Sequence, residues 1–166
     1  MGRIDPERRV EGMSKVKLGI IGIGNMGTGH ANSVVNGKCP DIQLCAVADI
    51  NPDRLTWAKD EFKGEVACFD DALAMLDSGL IDACLIAVPH YDHCMFAIEC
   101  IKRGIHVMVE KPAGVYTKQV KEMNAVTEAE IDALMAEYEA NYEIATDNVA
   151  AIRYQAKEEI AMKKML

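Results

Sequence analysis

Between Val16 and Val109, short apolar runs alternate with amphipathic segments, and glycine or proline stands at most of the changes. The runs predict strands at Val16–Ile21, Ile42–Ala48, Glu65–Phe69, Ala83–Val88 and Ile105–Val109. Helices are predicted between them, at Met26–Val35, Asp53–Phe62, Asp71–Asp77 and Asp92–Arg103. Asn51-Pro52 reads as an N-cap followed by the first helical position, and Gly37, Gly64, Gly79 and Gly104 read as helix stops. The runs around Ile20 and Leu85 are nearly continuous, which suits strands covered on both faces. Strand–helix units repeated in this way predict an α/β fold, a Rossmann-type doubly wound parallel sheet of order 3-2-1-4-5.

After Pro112 the rhythm changes. A helix starts over Thr117–Glu128, and the chain then reads as Ala/Glu-rich helix to Leu166. Ile131, Met135, Tyr138, Tyr142, Ala145, Val149, Ile152 and Ala156 form a heptad-like stripe, which Thr146-Asp147-Asn148 would divide. Such a stripe is read here as a face packed on its own domain before a coiled-coil seam, which would make a homo-oligomer. Three parts result: a leader at 1–13, read as non-native or disordered; a dinucleotide-binding domain at 14–127; and a helical extension at 128–166.

Composition narrows the partners. Half of the 166 residues are apolar and 27% are charged, so a packed core is expected. The net charge of −8 argues against nucleic acid or an anionic membrane surface. No apolar run approaches the roughly 18 residues needed to span a bilayer, and the first residues lack the apolar stretch of a secretory signal. The six cysteines contain no C-x-x-C pair and several lie inside apolar runs, so neither a disulfide framework nor a metal site is expected. A reducing cytoplasm suits them.

The candidate chemistry begins at Gly22-Ile23-Gly24-Asn25-Met26-Gly27, a G-x-G-x-x-G stretch between the first strand and the first helix. Gly22 permits a tight turn, Gly24 lets the backbone approach a pyrophosphate, and Gly27 allows close helix–strand packing. Ile23, Asn25 and Met26 supply the intervening backbone, and the helix N-terminus favours an anion. Asp49 ends the second apolar run, 22 residues after Gly27, where a carboxylate can accept hydrogen bonds from ribose hydroxyls. It would repel a 2′-phosphate and so favours NAD, while Arg54 keeps NADP open. The plain alternative for Asp49 is an acid that begins a turn.

Two more clusters follow strand ends on the same sheet edge: Ala87-Val88-Pro89-His90-Tyr91-Asp92-His93 and His106-Val107-Met108-Val109-Glu110-Lys111-Pro112. A lysine just beyond a strand can place a positive charge beside a substrate oxygen or assist proton transfer. Against these readings, Glu110-Lys111 is also an ordinary solvated pair, and His90 and His93 suit loop or helix-start polarity. His30 reads as a packed or capping histidine, and His106 needs no role.

Taken together, the glycine stretch, Asp49, Pro89-x-x-x-His93 and Glu110-Lys111-Pro112 resemble the N-terminal domain of the glucose–fructose oxidoreductase/inositol dehydrogenase (Gfo/Idh/MocA) family, from about Lys15 to Thr127. The resemblance implies that Gly22, Gly24 and Gly27 hold pyrophosphate and that Asp49 holds the ribose of NAD or NADP. It further implies that Ala87, Val88, Pro89 and His93 line the dinucleotide crevice, that Glu110 sits by the nicotinamide ribose, and that Lys111 is the catalytic-site lysine. A cis Lys111–Pro112 bond is an expectation of the same kind. The family's second half carries the sugar or polyol pocket and commonly an Asp-x-x-x-His acid/base, whereas this sequence has no histidine after His106. The resulting expectation is a cofactor domain of a sugar or polyol oxidoreductase, cut short and of low or no activity alone. The other readings are a non-catalytic NAD-binding or partner-binding module, and an engineered or mis-assembled chain.

Overall fold

The computed structural model describes residues 14–141, with side chains described as far as residue 133. Its elements alternate as read from the sequence: β1 (Val16–Ile21), α1 (Asn25–Val35), β2 (Ile42–Ala48), α2 (Pro52–Glu61), β3 (Ala67–Phe69), α3 (Ala72–Leu76), β4 (Ala83–Ile86), α4 (His93–Lys102), β5 (His106–Val109) and α5 (Thr117–Asn141). The five strands form one sheet in the order β3-β2-β1-β4-β5, with every neighbouring pair parallel.

The near-continuous apolar runs have a simple cause. Successive side chains of a strand point to opposite faces, and helices cover both. Leu18, Ile20, Leu44, Val47 and Leu85 pack with Ala31 of α1, with Leu55 and Ala58 of α2, and with Phe62 just beyond it. Ile21, Ala46, Ala48, Cys84 and Ile86 pack on the other face with Met75 and Leu76 of α3 and Ala97 and Cys100 of α4. Ile20 and Ile86 are wholly buried, and truncating either to Ala would cost about 2–5 kcal/mol.

Local chemistry places the helix ends. The Asn51 side chain accepts from the Asp53 amide at 2.9 Å and Pro52 opens α2, as the Asn-Pro pair predicts. Asp71 caps α3 in the same way through the Leu73 amide at 2.9 Å. The predicted helix stops Gly37, Gly64, Gly79 and Gly104 all have positive φ.

Three strand boundaries differ from expectation. β3 begins at Ala67 rather than Glu65 because only Ala46–Ala48 of β2 offer it a parallel partner. β5 begins one residue later than predicted, at His106, opposite Ala83. β4 ends at Ile86, so Ala87 and Val88 leave the ladder where the glycine turn crosses it. The helix expected from Thr117 is present as α5, which runs to Asn141 among the described residues and packs on α4. The leader and most of the Ile131–Ala156 stripe lie outside the described residues.

Candidate functional site

The sheet ladder itself brings the candidate residues together. Gly22 donates its amide to the Ala48 carbonyl at 2.8 Å and Asp49 to that of Phe69 at 3.1 Å. Ala87 donates to Ile21 at 2.8 Å and Glu110 to Ile86 at 2.9 Å. Each of these four residues is thus the first beyond its strand, and all four stand on the carboxyl edge of a parallel sheet. In open α/β sheets that edge, where strand order reverses, is where ligands bind.

The glycine stretch is shaped by backbone crowding on one side and open space on the other. Gly22 has φ +88°, and a Cβ there would lie 2.8 Å from the Ala87 oxygen and 2.9 Å from the Val88 nitrogen. A Cβ on Gly27 would overlap the Gly22 carbonyl oxygen, so α1 can sit this close to the turn only with glycine at that position. Gly24 differs: a Cβ there would meet nothing within 4 Å. It is also the N-cap of α1 and brings no side-chain cap, so no capping side chain serves the first amides of the helix. Asn25 and Met26 are exposed beside it, and Ile23 is wholly buried.

Asp49 is held against this turn. Its Oδ2 accepts the Ile23 amide at 2.9 Å, and its Oδ1 accepts the Asn51 amide at 2.9 Å. A carboxylate anchored by two backbone donors keeps free lone pairs for further donors. An open glycine at an uncapped helix start, with a fixed carboxylate two strands' width away from β4, fits a pyrophosphate followed by a ribose.

On the far side of β1, Ala87 and Val88 are partly buried and Pro89 is exposed. His93 is wholly buried, with Nδ1 2.8 Å from the Pro112 carbonyl oxygen and Nε2 2.8 Å from that of Val88. Both ring nitrogens therefore face protein acceptors, and the ring is a strut joining the β4 and β5 exits. Both ring nitrogens are thus engaged by the backbone, beside the residues expected to line the crevice. His90 meets its ring edge-on, with centroids 5.4 Å apart.

The third cluster holds a partner that sequence spacing could not indicate. His30, on α1, places Nε2 2.5 Å from Oε1 of Glu110. It is therefore neither packed in the core nor a cap. The His30 hydrogen bond holds the Glu110 carboxyl below its ordinary range, helped by the Lys111 amide and by the charges of both neighbours, and opposed by burial. Lys111 is exposed and its bond to Pro112 is cis. No local signal around His30 could have exposed this pairing, because its partner lies 80 residues on.

Known proteins are similar to this chain in sequence and fold. The chain is 30% identical over 117 residues to the rhizopine catabolism protein MocA of Rhizobium meliloti, covering 70% of this chain and 35% of that protein. It is 31% identical over 108 residues to the myo-inositol 2-dehydrogenase of Thermotoga maritima, covering 65% and 31%. Among solved structures, it superposes with a TM-score of 0.67 and 29% identity on scyllo-inositol dehydrogenase from Lactobacillus casei with bound NAD(H) and scyllo-inositol, covering 72% of this chain and 34% of that one. The chain spans about a third of the length of these relatives. A family model described as "Oxidoreductase family, NAD-binding Rossmann fold" matches residues 16–152, and the chain belongs to that Gfo/Idh/MocA family.

Proposed function

We propose that this chain is the cofactor-holding part of an NAD-dependent oxidoreductase acting on a sugar or polyol. The observation that supports this most is the meeting, on one sheet edge, of the open Gly24 turn, the anchored Asp49 carboxylate and the Glu110-Lys111 turn. Gly22, Ile23, Gly24, Asn25, Met26 and Gly27 would hold the pyrophosphate through backbone amides at the start of α1. Asp49 would accept from the adenosine ribose hydroxyls and disfavour a 2′-phosphate. Ala87, Val88 and Pro89 would line the remaining crevice, with His93 beside them.

The bound dinucleotide supplies the hydride acceptor or donor. The chain's own residues contribute binding, orientation and charge. Lys111 is the candidate catalytic residue, because an exposed ammonium at the rim can hold or deliver a proton at a substrate oxygen. The family resemblance puts substrate positioning in the part of the relatives that this chain does not span, so turnover by these residues alone should be low or absent. Relatives acting on inositols favour a ring polyol as substrate class. Six free thiols accord with a reducing cytoplasm.

Titration with NADH, followed by fluorescence, tests the reading. Saturable binding is expected, tighter for NADH than for NADPH. A featureless titration up to millimolar cofactor would end it.

A further inference from the structure

His30 and Glu110 join two elements 80 residues apart in sequence: the helix that starts at the glycine turn and the exit of β5. Their side chains are only 38% and 18% exposed. The second carboxylate oxygen of Glu110 accepts the Lys111 amide at 3.3 Å. Both oxygens are thereby engaged, one across the crevice and one on the turn that carries Lys111, and the plane of the carboxylate is set.

The place of this pair along a dinucleotide follows from the sheet. Asp49 stands beyond β2, on the β3 side of the glycine turn, and marks the ribose of the adenosine half. A dinucleotide laid across the reversal of strand order then extends its other half over β4 and β5, where Glu110 and Lys111 stand. We propose that His30 is a positioning residue for that second half: it orients Glu110 and, through it, the Lys111 turn toward the nicotinamide riboside. This rests on the dinucleotide-binding reading above. A hydrogen-bonded pair at the end of a sheet can act on ligand binding as well as on folding. The value of this one lies in fixing an acceptor before the ligand arrives, which removes an ordering cost from binding.

The test compares ligands that share the adenosine half. Full-length wild type, His30→Ala, His30→Gln, Glu110→Ala and the double variant His30→Ala/Glu110→Ala are titrated with NADH and with ADP. Circular dichroism checks that each is folded. His30→Ala should weaken NADH by about tenfold and leave ADP within about twofold, a split that a merely structural role would not produce. His30→Gln should retain NADH affinity, since its amide N–H can reach the same carboxylate oxygen. Glu110→Ala should match His30→Ala, and the double variant should lose no more than either, as for residues acting through one another. A ligand-free arm follows the Glu110 side-chain carbon by NMR: its titration midpoint should rise in His30→Ala.

Equal losses for NADH and ADP, no loss for either, or losses that multiply in the double variant would overturn the inference while leaving the dinucleotide site intact. Equal affinity of wild type for NADH and ADP would do the same. Absence of binding by wild type to both ligands would overturn the site and the inference together.

Discussion

Gly27 stands so close to Gly22 that a single methyl group on it would occupy the position of the Gly22 carbonyl oxygen. Helix and turn are thus in backbone contact. Gly27→Ala must push α1 off the turn, and a loss of about 1–3 kcal/mol or more in thermal or urea unfolding is expected, together with loss of dinucleotide binding. Unchanged stability in the variant would show that α1 can move freely there.

Gly24 should behave in the opposite sense. It has extended backbone with φ −67° and open space where a Cβ would lie. Gly24→Ala should cost no more than about 1 kcal/mol, from the poorer N-cap. NADH affinity should fall at least tenfold, because the methyl would occupy the open space proposed for the phosphates. Stability and binding measured on one preparation separate the two glycines cleanly.

Asp49 anchors the turn through the Ile23 amide, and its proposed part in choosing the cofactor can be tested separately. Asp49→Ala should weaken NADH and narrow the preference over NADPH, since a negative charge beside the 2′-phosphate is gone. Arg54, on the neighbouring helix α2, should then matter more: the double variant Asp49→Ala/Arg54→Ala should lose the NADPH gained. A preference unmoved by Asp49→Ala would assign selectivity elsewhere.

Acid should weaken the fold partly through Arg103. Its guanidinium bonds Asp77 at 2.7 Å and Glu99 at 2.6 Å, and these bonds hold both carboxyls below their ordinary values. Carboxyls depressed in the folded state stabilise it above their unfolded pKa and lose that contribution as pH falls through the folded value. Arg103→Gln should therefore be the less stable protein at pH 7. The two stability curves should converge as pH falls through and below the ordinary carboxylate range. Chemical unfolding across that range provides the check, and parallel curves would contradict it.

The thiols offer a measure of core integrity. Cys84, Cys94 and Cys100 are buried, whereas Cys39, Cys45 and Cys68 are partly exposed. Burial also pushes the Cys45 and Cys68 thiols up, which slows their reaction. A thiol reagent should modify Cys39 first and reach the buried three only on unfolding. Early labelling of Cys100 in native protein would mean that α4 opens locally.

Most of this architecture was legible in the chain because the strands of a doubly covered sheet write their burial into every position. Ile20 and Ile21 face different layers, yet both must be apolar. The Asn51-Pro52 cap and the glycine stops are equally local devices, read correctly from neighbouring residues. What escaped was non-local. The shortness of β3 depends on how much of β2 is available to it, and the end of β4 depends on a turn sixty-odd residues earlier. His30 and His93 show the same limit in the site. Helical spacing can say which way a histidine points, but not that a carboxylate or a pair of carbonyls waits in that direction.

Because every candidate ligand-facing group follows the carboxyl end of a strand, the sheet has one working rim and one idle rim. The turns entering β2, β3, β4 and β5 carry none of those groups, and Gly79 among them has free space around it. That idle rim is a handle. A fluorescent reporter or an affinity tag spliced at Ser78–Leu80 would hang a sheet's length away from the crevice, in a surface turn of the kind that tolerates insertion.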